Sequence, residues 1–221
     1  MSILLPFLSV IFGFIAAIFL KKEVRVTQHL LSFSGAFLLS ILVFEFLPEV
    51  YQEYEPLVGI LVMCGVLLQV FLEFMSKGAE HGHTHMDKNM NRFPVLLFIG
   101  LCIHAFMEGF PIVNNVHLMI GVVLHKIPVA IIIATFLLNS RLKKSSIYLF
   151  ILLFALMTPL GSILNTSFVT SPQTELYINA MVIGVLLHVS TTILFESSKD
   201  HQFNWSKIVS ILLGIIIAFL I

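Results

Sequence analysis

Residues 94–138 read PVLLFIGLCIHAFMEGFPIVNNVHLMIGVVLHKIPVAIIIATFLL. Two apolar runs, Pro94–Val113 and Val116–Leu138, are separated only by Asn114-Asn115. Each is close to the ~20 residues that a helix needs to cross a hydrocarbon core about 30 Å thick. So short a turn makes them antiparallel neighbours. Each also carries ionisable side chains in mid-run, His104 and Glu108 in the first, His125 and Lys126 in the second. A charge at the bilayer centre costs at least ~2.5–3.5 kcal/mol on insertion scales, so such residues usually face an internal cavity and mark function.

The same apolar pattern extends over the whole chain. Eight candidate spans follow from it: Ser2–Leu20, His29–Val50, Pro56–Ser76, Pro94–Val113, Val116–Leu138, Ser145–Phe168, Leu176–Ser197 and Ser206–Ile221. The 221 residues are 58% hydrophobic and 11% charged, against about 25% charged in a soluble domain. A soluble enzyme and a disordered chain are both excluded. The absence of regular polar alternation argues against a strand barrel. The expected fold is therefore all-α and integral to the membrane, an eight-helix bundle forming a single domain over residues 1–221. The first run has no basic flank ahead of it and no small-residue cleavage site, and reads as a retained helix. Cys64 and Cys102 lie in apolar runs and read as small buried hydrophobes.

The basic residues orient the bundle. Eleven of the 12 Lys and Arg fall in odd-numbered connections: Lys21, Lys22 and Arg25; Lys77, Lys88 and Arg92; Arg141, Lys143 and Lys144; Lys199 and Lys207. By the positive-inside rule those connections face the cytoplasm and both termini face outward. The twelfth, Lys126, lies inside span five. The formal net charge is zero, so no global field attracts nucleic acid.

His104 lies nine residues before the outer end of its span, and His125 nine residues after the outer start of the next. At ~1.5 Å rise per residue both fall about 14 Å below the outer edge. His104 and Glu108, four apart, share one helix face. Two imidazoles and a carboxylate at one depth form a transition-metal donor set, suited to Zn²⁺ and less exclusively to Fe²⁺ or Mn²⁺. The bland alternative is that each polar residue only bonds to a neighbouring helix; the coincidence of four such residues on adjacent spans outweighs it. Pro111 and Pro128 remove amide donors beside these residues, and the expectation is a pair of broken helices exposing carbonyls at mid-depth.

At these residues the sequence resembles the ZIP (Zrt/Irt-like) family of divalent metal transporters. Its fourth-helix motif, His-Asn/Ser-x-x-Asp/Glu-Gly, is matched at the first and last two positions by His104-Ala105-Phe106-Met107-Glu108-Gly109. Its fifth-helix motif, His-Glu/Lys-x-Pro, is matched by His125-Lys126-Ile127-Pro128. Phe46-Leu47-Pro48-Glu49 and Thr158-Pro159-Leu160-Gly161 are weaker echoes. The resemblance implies eight helices with both termini outside, a metal site between the fourth and fifth, and a His-rich cytoplasmic loop between the third and fourth, here residues 78–92. Many members hold a second metal through an Asn, an acidic residue and a Glu at positions that are Ala105, Lys126 and Thr158 here, and Val129 replaces a usual ligand. The second metal is therefore expected to be absent, with the Lys126 ammonium in its place balancing Glu108, as in the Lys-containing branch of the family.

The resulting expectation is a secondary transporter, not an enzyme, that carries Zn²⁺ or a related ion (Fe²⁺, Mn²⁺ or Cd²⁺) into the cytoplasm as substrate, with His104, Glu108 and His125 as ligands. Pathway candidates are Glu45 and Glu49 near the outer end of span two, and His188 and Glu196 on span seven. His188 reads equally well as a packing residue, while Glu53 and Glu55 read as solvated. His81, His83 and His85 alternate in the loop, as weak metal-binding tracts do, with incidental affinity as the alternative. No P-loop appears, so ATP does not drive transport directly. The rivals are an intramembrane zinc hydrolase, for which His-Glu-x-x-His is missing, and a metal-gated receptor without flux. The expected partners are the ion, the bilayer and a second copy as a homodimer, in a plasma membrane of prokaryotic type.

Overall fold

The structure is a computed structural model that describes residues 3–20, 24–52, 55–79, 92–169, 171–196 and 205–221. All regular structure among them is helical. Helix α1 is Leu4–Leu20. Helix α2 begins as Val24–Ile41, passes through a π-helical turn, Leu42–Phe46, and ends as Leu47–Val50. Then follow α3 (Pro56–Ser76), α4 (Val95–Glu108), a 3₁₀ turn (Pro111–Val113), α5 (Val116–Leu138), α6 (Lys144–Phe168), α7 (Pro172–Glu196) and α8 (Trp205–Leu220). Five are long and apolar enough to cross a membrane: α2 from Val26, α3, α5, α6 and α7. The other three, α1, α4 and α8, are shorter and equally apolar.

Helix boundaries follow local chemistry. Asn115 caps α5 by accepting the Leu118 N–H at 2.8 Å, which satisfies one of the amides orphaned at a helix start. Helix α3 stops where Lys77 and Gly78 turn left-handed, at φ 54° and 69°, and their amides return to the Glu73 carbonyl. The π turn in α2 precedes Pro48, which has no N–H to give to Phe44. The ladder shifts there to a five-residue step, with Leu47 N–H reaching the Leu42 carbonyl. π-bulges of this kind are frequent at functional sites.

The expected pair of broken helices is corrected. Helix α5 runs unbroken from Val116 to Leu138 with Pro128 inside it. One missing amide is tolerated where the rest of the ladder and tight neighbours persist. At Pro111 the helix ends instead of kinking. Gly109 N–H and Phe110 N–H bond Phe106 and Met107 at 3.1 and 3.2 Å, a three-residue step that tightens the last turn.

The helices sort into two groups by contact. Helices α1, α4, α5 and α6 pack on one another, as do α2, α3, α7 and α8. The groups meet mainly where α2 lies along α5 and α3 along α4. Small residues allow the closest crossings, because apolar side chains gain nothing by leaving lipid and backbone approach must supply the attraction. A Cβ on Gly65 would overlap the Met181 carbonyl, and one on Gly184 the Val62 carbonyl, so α3 and α7 touch backbone to backbone. Gly109 and Gly161 hold α4 on α6 in the same way, through the Thr158 and Phe106 carbonyls.

Two identical changes in α3 separate packing from helix propensity. Gly65→Ala forces Cβ into the α7 backbone and should lower stability by about 1–3 kcal/mol or more, read as a lower melting temperature in detergent. Gly59→Ala meets only the Tyr51 hydroxyl at 3.5 Å and should be neutral or slightly stabilising.

Candidate metal centre

Helix α4 presents His104 and Glu108 one turn apart, with His104 Nε2 3.1 Å from Glu108 Oε1. Helix α5 presents His125 and Lys126. The Lys126 ammonium sits 2.7 Å from Glu108 Oε2 and 5.2 Å from the Phe154 ring centroid on α6. The His104 and His125 rings stand edge to face with centroids 6.5 Å apart. His104, Glu108 and His125 each offer one ligand atom, all within 4.8 Å of one another. The cluster is sealed: no residue of the four exceeds 3% exposure.

Four neighbours fix this geometry. Gln69 of α3 places Oε1 3.1 Å from His104 Nδ1. An amide oxygen only accepts, so with the amide in this orientation Nδ1 carries the hydrogen and Nε2 keeps its lone pair. That is the tautomer a metal ligand needs, and a partner on the far ring nitrogen is the usual way to hold it. Helix α6 supports the end of α4. Thr158 Oγ1 donates to the Ala105 carbonyl at 2.7 Å, Ser162 Oγ to Gly109 at 2.8 Å, and Asn165 Nδ2 to Phe110 at 2.9 Å. These carbonyls lie where α4 gives out, so side chains of α6 replace a missing helical ladder. Thr158 therefore has a backbone partner at the position where the resemblance would put a ligand.

The other candidates separate. Glu45 lies in the π turn of α2, its oxygens 2.9 and 2.8 Å from His117 Nδ1 at the start of α5, and both side chains are half-exposed. Glu49 is exposed one turn further on. Glu55 is not merely solvated; it accepts from the Tyr177 hydroxyl and so ties the start of α3 to the start of α7. Asn114 bonds Glu175 at 2.6 Å in the same region. His188 Nε2 lies 2.6 Å from Glu73 Oε2 on α3. Glu196 ends α7, and its side chain is outside the described part. His81, His83 and His85 lie outside the described residues, as do Lys21, Lys22, Lys88 and Lys199. Lys207 is in the first turn of α8, not in a connection, and donates to the Leu194 carbonyl near the end of α7 at 3.2 Å.

Four residues that matter here were not singled out by the sequence reading: Gln69, Glu73, His117 and Phe154. Three had a legible signal. Gln69 and Glu73 are four apart in an otherwise apolar span, the same spacing as His104 and Glu108. His117 precedes His125 by about two helical turns. Phe154 carries no signal, being one of 21 phenylalanines.

Long apolar helices with ionisable side chains gathered between them define a multi-pass membrane protein. The chain belongs to the ZIP zinc transporter family, whose model matches residues 76–221. It is 26% identical over 159 residues to Protein zntD of Dictyostelium discoideum. That match covers 62% of this chain and 23% of the relative, so the chain spans about a quarter of that protein's length.

The buried ion pair makes an asymmetric prediction. Lys126→Met strands the Glu108 carboxylate and should cost about 3–5 kcal/mol, measured by unfolding in mixed micelles. Adding Glu108→Gln should recover most of that loss, because the amide brings no charge.

Proposed function

We propose that this protein carries Zn²⁺ or a closely related divalent ion through the membrane into the cytoplasm, binding it between α4 and α5 by His104, Glu108 and His125. Membership of a zinc transporter family supports the class of activity. The observation that carries the site is the facing of His104 Nε2 and Glu108 Oε1 at 3.1 Å, with Gln69 holding the hydrogen on the other ring nitrogen. Two lone pairs so close in a sealed space repel unless a positive charge joins them. A proton does so in the empty site and a divalent ion can replace it, with His125 completing three protein ligands.

Lys126 sets the strength of binding. Its ammonium already neutralises one carboxylate oxygen, so the cluster offers no net negative charge to the ion. Binding then rests on ligand bonds more than on Coulomb attraction, and release is correspondingly easier. The ammonium also repels a second cation, which favours a single ion per centre. Three protein ligands leave a fourth tetrahedral position for water, as in zinc sites that exchange ligands.

The basic residues of the odd connections orient the bundle with both termini outside, in a prokaryotic cell membrane. Glu45, with His117 beside it, and Glu49 then line the outer approach, while His188 and Glu196 lie toward the cytoplasm. His81, His83 and His85 act as a cytoplasmic acceptor for the released ion.

In proteoliposomes loaded with a zinc-sensitive dye, the wild-type protein should admit Zn²⁺, and His104→Ala or His125→Ala should abolish the signal. Undiminished flux in either variant defeats the assignment; hydrolytic activity without flux favours an enzyme. Ion counting addresses Lys126 separately. Anomalous scattering should find one ion between α4 and α5 in the wild type, and two after Lys126→Glu with Ala105→Asn. Two ions there in the unaltered protein contradict the role given to the ammonium.

A further inference from the structure

We infer that Gln69 is a positioning residue that acts through His104 to set how tightly the centre holds its ion, and that an amide at this place, where a carboxylate would hold the ion harder, keeps the ion releasable. The inference rests on the transport reading above and deepens it. Gln69 is fully buried in the second half of the apolar helix α3. Its Oε1 lies 3.1 Å from His104 Nδ1, on the ring whose Nε2 faces Glu108 Oε1. The ligands sit on α4 and α5, whereas Gln69 comes from the other group of helices.

Packing does not call for an amide here. Helices α3 and α4 have a close crossing of their own, where a Cβ on Gly100 would stand 2.9 Å from the Leu72 carbonyl. An apolar side chain of the same length would fill the space without taking a polar group out of water, which is costly unless that group is hydrogen-bonded. The other fully buried polar side chain of α3, Ser76, bonds within its own helix, to the Glu73 carbonyl at 3.2 Å. Gln69 instead reaches across to α4, and it reaches the nitrogen behind the ligand atom.

The chemistry of the acceptor then decides the strength of the site. A ligating imidazole is the more basic toward its metal when its other N–H has a partner, and losing that partner costs roughly 10–100-fold in affinity. A bound cation polarises the ring and strengthens the Nδ1–H as a donor to Gln69. By reciprocity the same bond strengthens the hold on the ion. A carboxylate acceptor would make the bond about twice as strong. It would also return a net negative charge to a centre in which Lys126 balances Glu108. The amide supplies orientation and tautomer without that charge. Gln69 and Lys126 thus act in the same sense, and both leave binding to rest on ligand bonds.

Two substitutions test this in the full chain, by Cd²⁺ titration calorimetry in micelles and Cd²⁺ uptake in proteoliposomes. Gln69→Met keeps the length of the side chain and removes the amide acceptor. Its Kd and KM should rise roughly tenfold while the maximal rate of uptake is kept. Gln69→Glu keeps an acceptor and adds charge. Its Kd should fall roughly tenfold, and its maximal rate should fall as release slows; a gain in affinity cannot come from a damaged fold. In ¹⁵N-labelled, Cd²⁺-loaded protein, the His104 Nδ1–H should give a hydrogen-bonded proton resonance in the wild type and in Gln69→Glu, and lose it in Gln69→Met. Wild-type Kd in Gln69→Met, or weakened binding in both variants, overturns the inference and leaves the central assignment standing. Wild-type Kd in His104→Ala overturns the central assignment itself, whatever position 69 does.

Discussion

The Glu108 carboxylate is the group around which the rest is arranged. It is fully buried in a chain that is 58% hydrophobic. Removing a carboxylate from water costs several kcal/mol even after relaxation. One of its oxygens is therefore paired with the Lys126 ammonium at 2.7 Å, while the other faces His104 Nε2 at 3.1 Å. Lys126 carries the same penalty in reverse, and answers it with Glu108 and the face of Phe154. Each member is tolerable at that depth only because the others are there. The cluster consequently binds α4 to α5, and through Gln69 it reaches across to α3.

Holding such a cluster together requires backbones that approach closely and carbonyls that are satisfied where a helix fails. Both needs are met at the junction of α4 and α6. Gly109 and Gly161 remove the side chains that would keep the helices apart. Thr158, Ser162 and Asn165 then reach the carbonyls of Ala105, Gly109 and Phe110. Pro111 is thus less a hinge than a stop, and the cost of stopping is borne by polar side chains of a neighbouring helix. His104 and Glu108 ride on this supported end, which keeps them in register with His125 on the far side of the turn.

Carboxylate–imidazole pairs recur above and below the centre. Glu45 meets His117 near the end of α2 and the start of α5, and Glu73 meets His188 on the other side of Gln69. Each pair joins different helices, and each is more exposed than the central cluster. The Glu45–His117 pair sits where the π turn departs from regular helix. That departure comes from Pro48 downstream, so a backbone irregularity and a polar pair coincide for a local chemical reason.

The amino-acid sequence by itself determined the class of fold and most of the helix limits. Pro56–Ser76 and Val116–Leu138 appear with the very limits read from hydropathy, because apolar length and polar punctuation are local properties. It also singled out His104, Glu108, His125 and Lys126, since ionisable residues stand out against apolar runs. What it could not supply was partnership. Nothing in the order of residues says that His188 faces Glu73, that Gln69 reaches His104, or that Thr158 serves a carbonyl. Those contacts join residues 115, 35 and 53 positions apart. They depend on which helices lie side by side and how each is rotated, and only the tertiary packing, set by glycine crossings and by the pairing of buried charges, decides that.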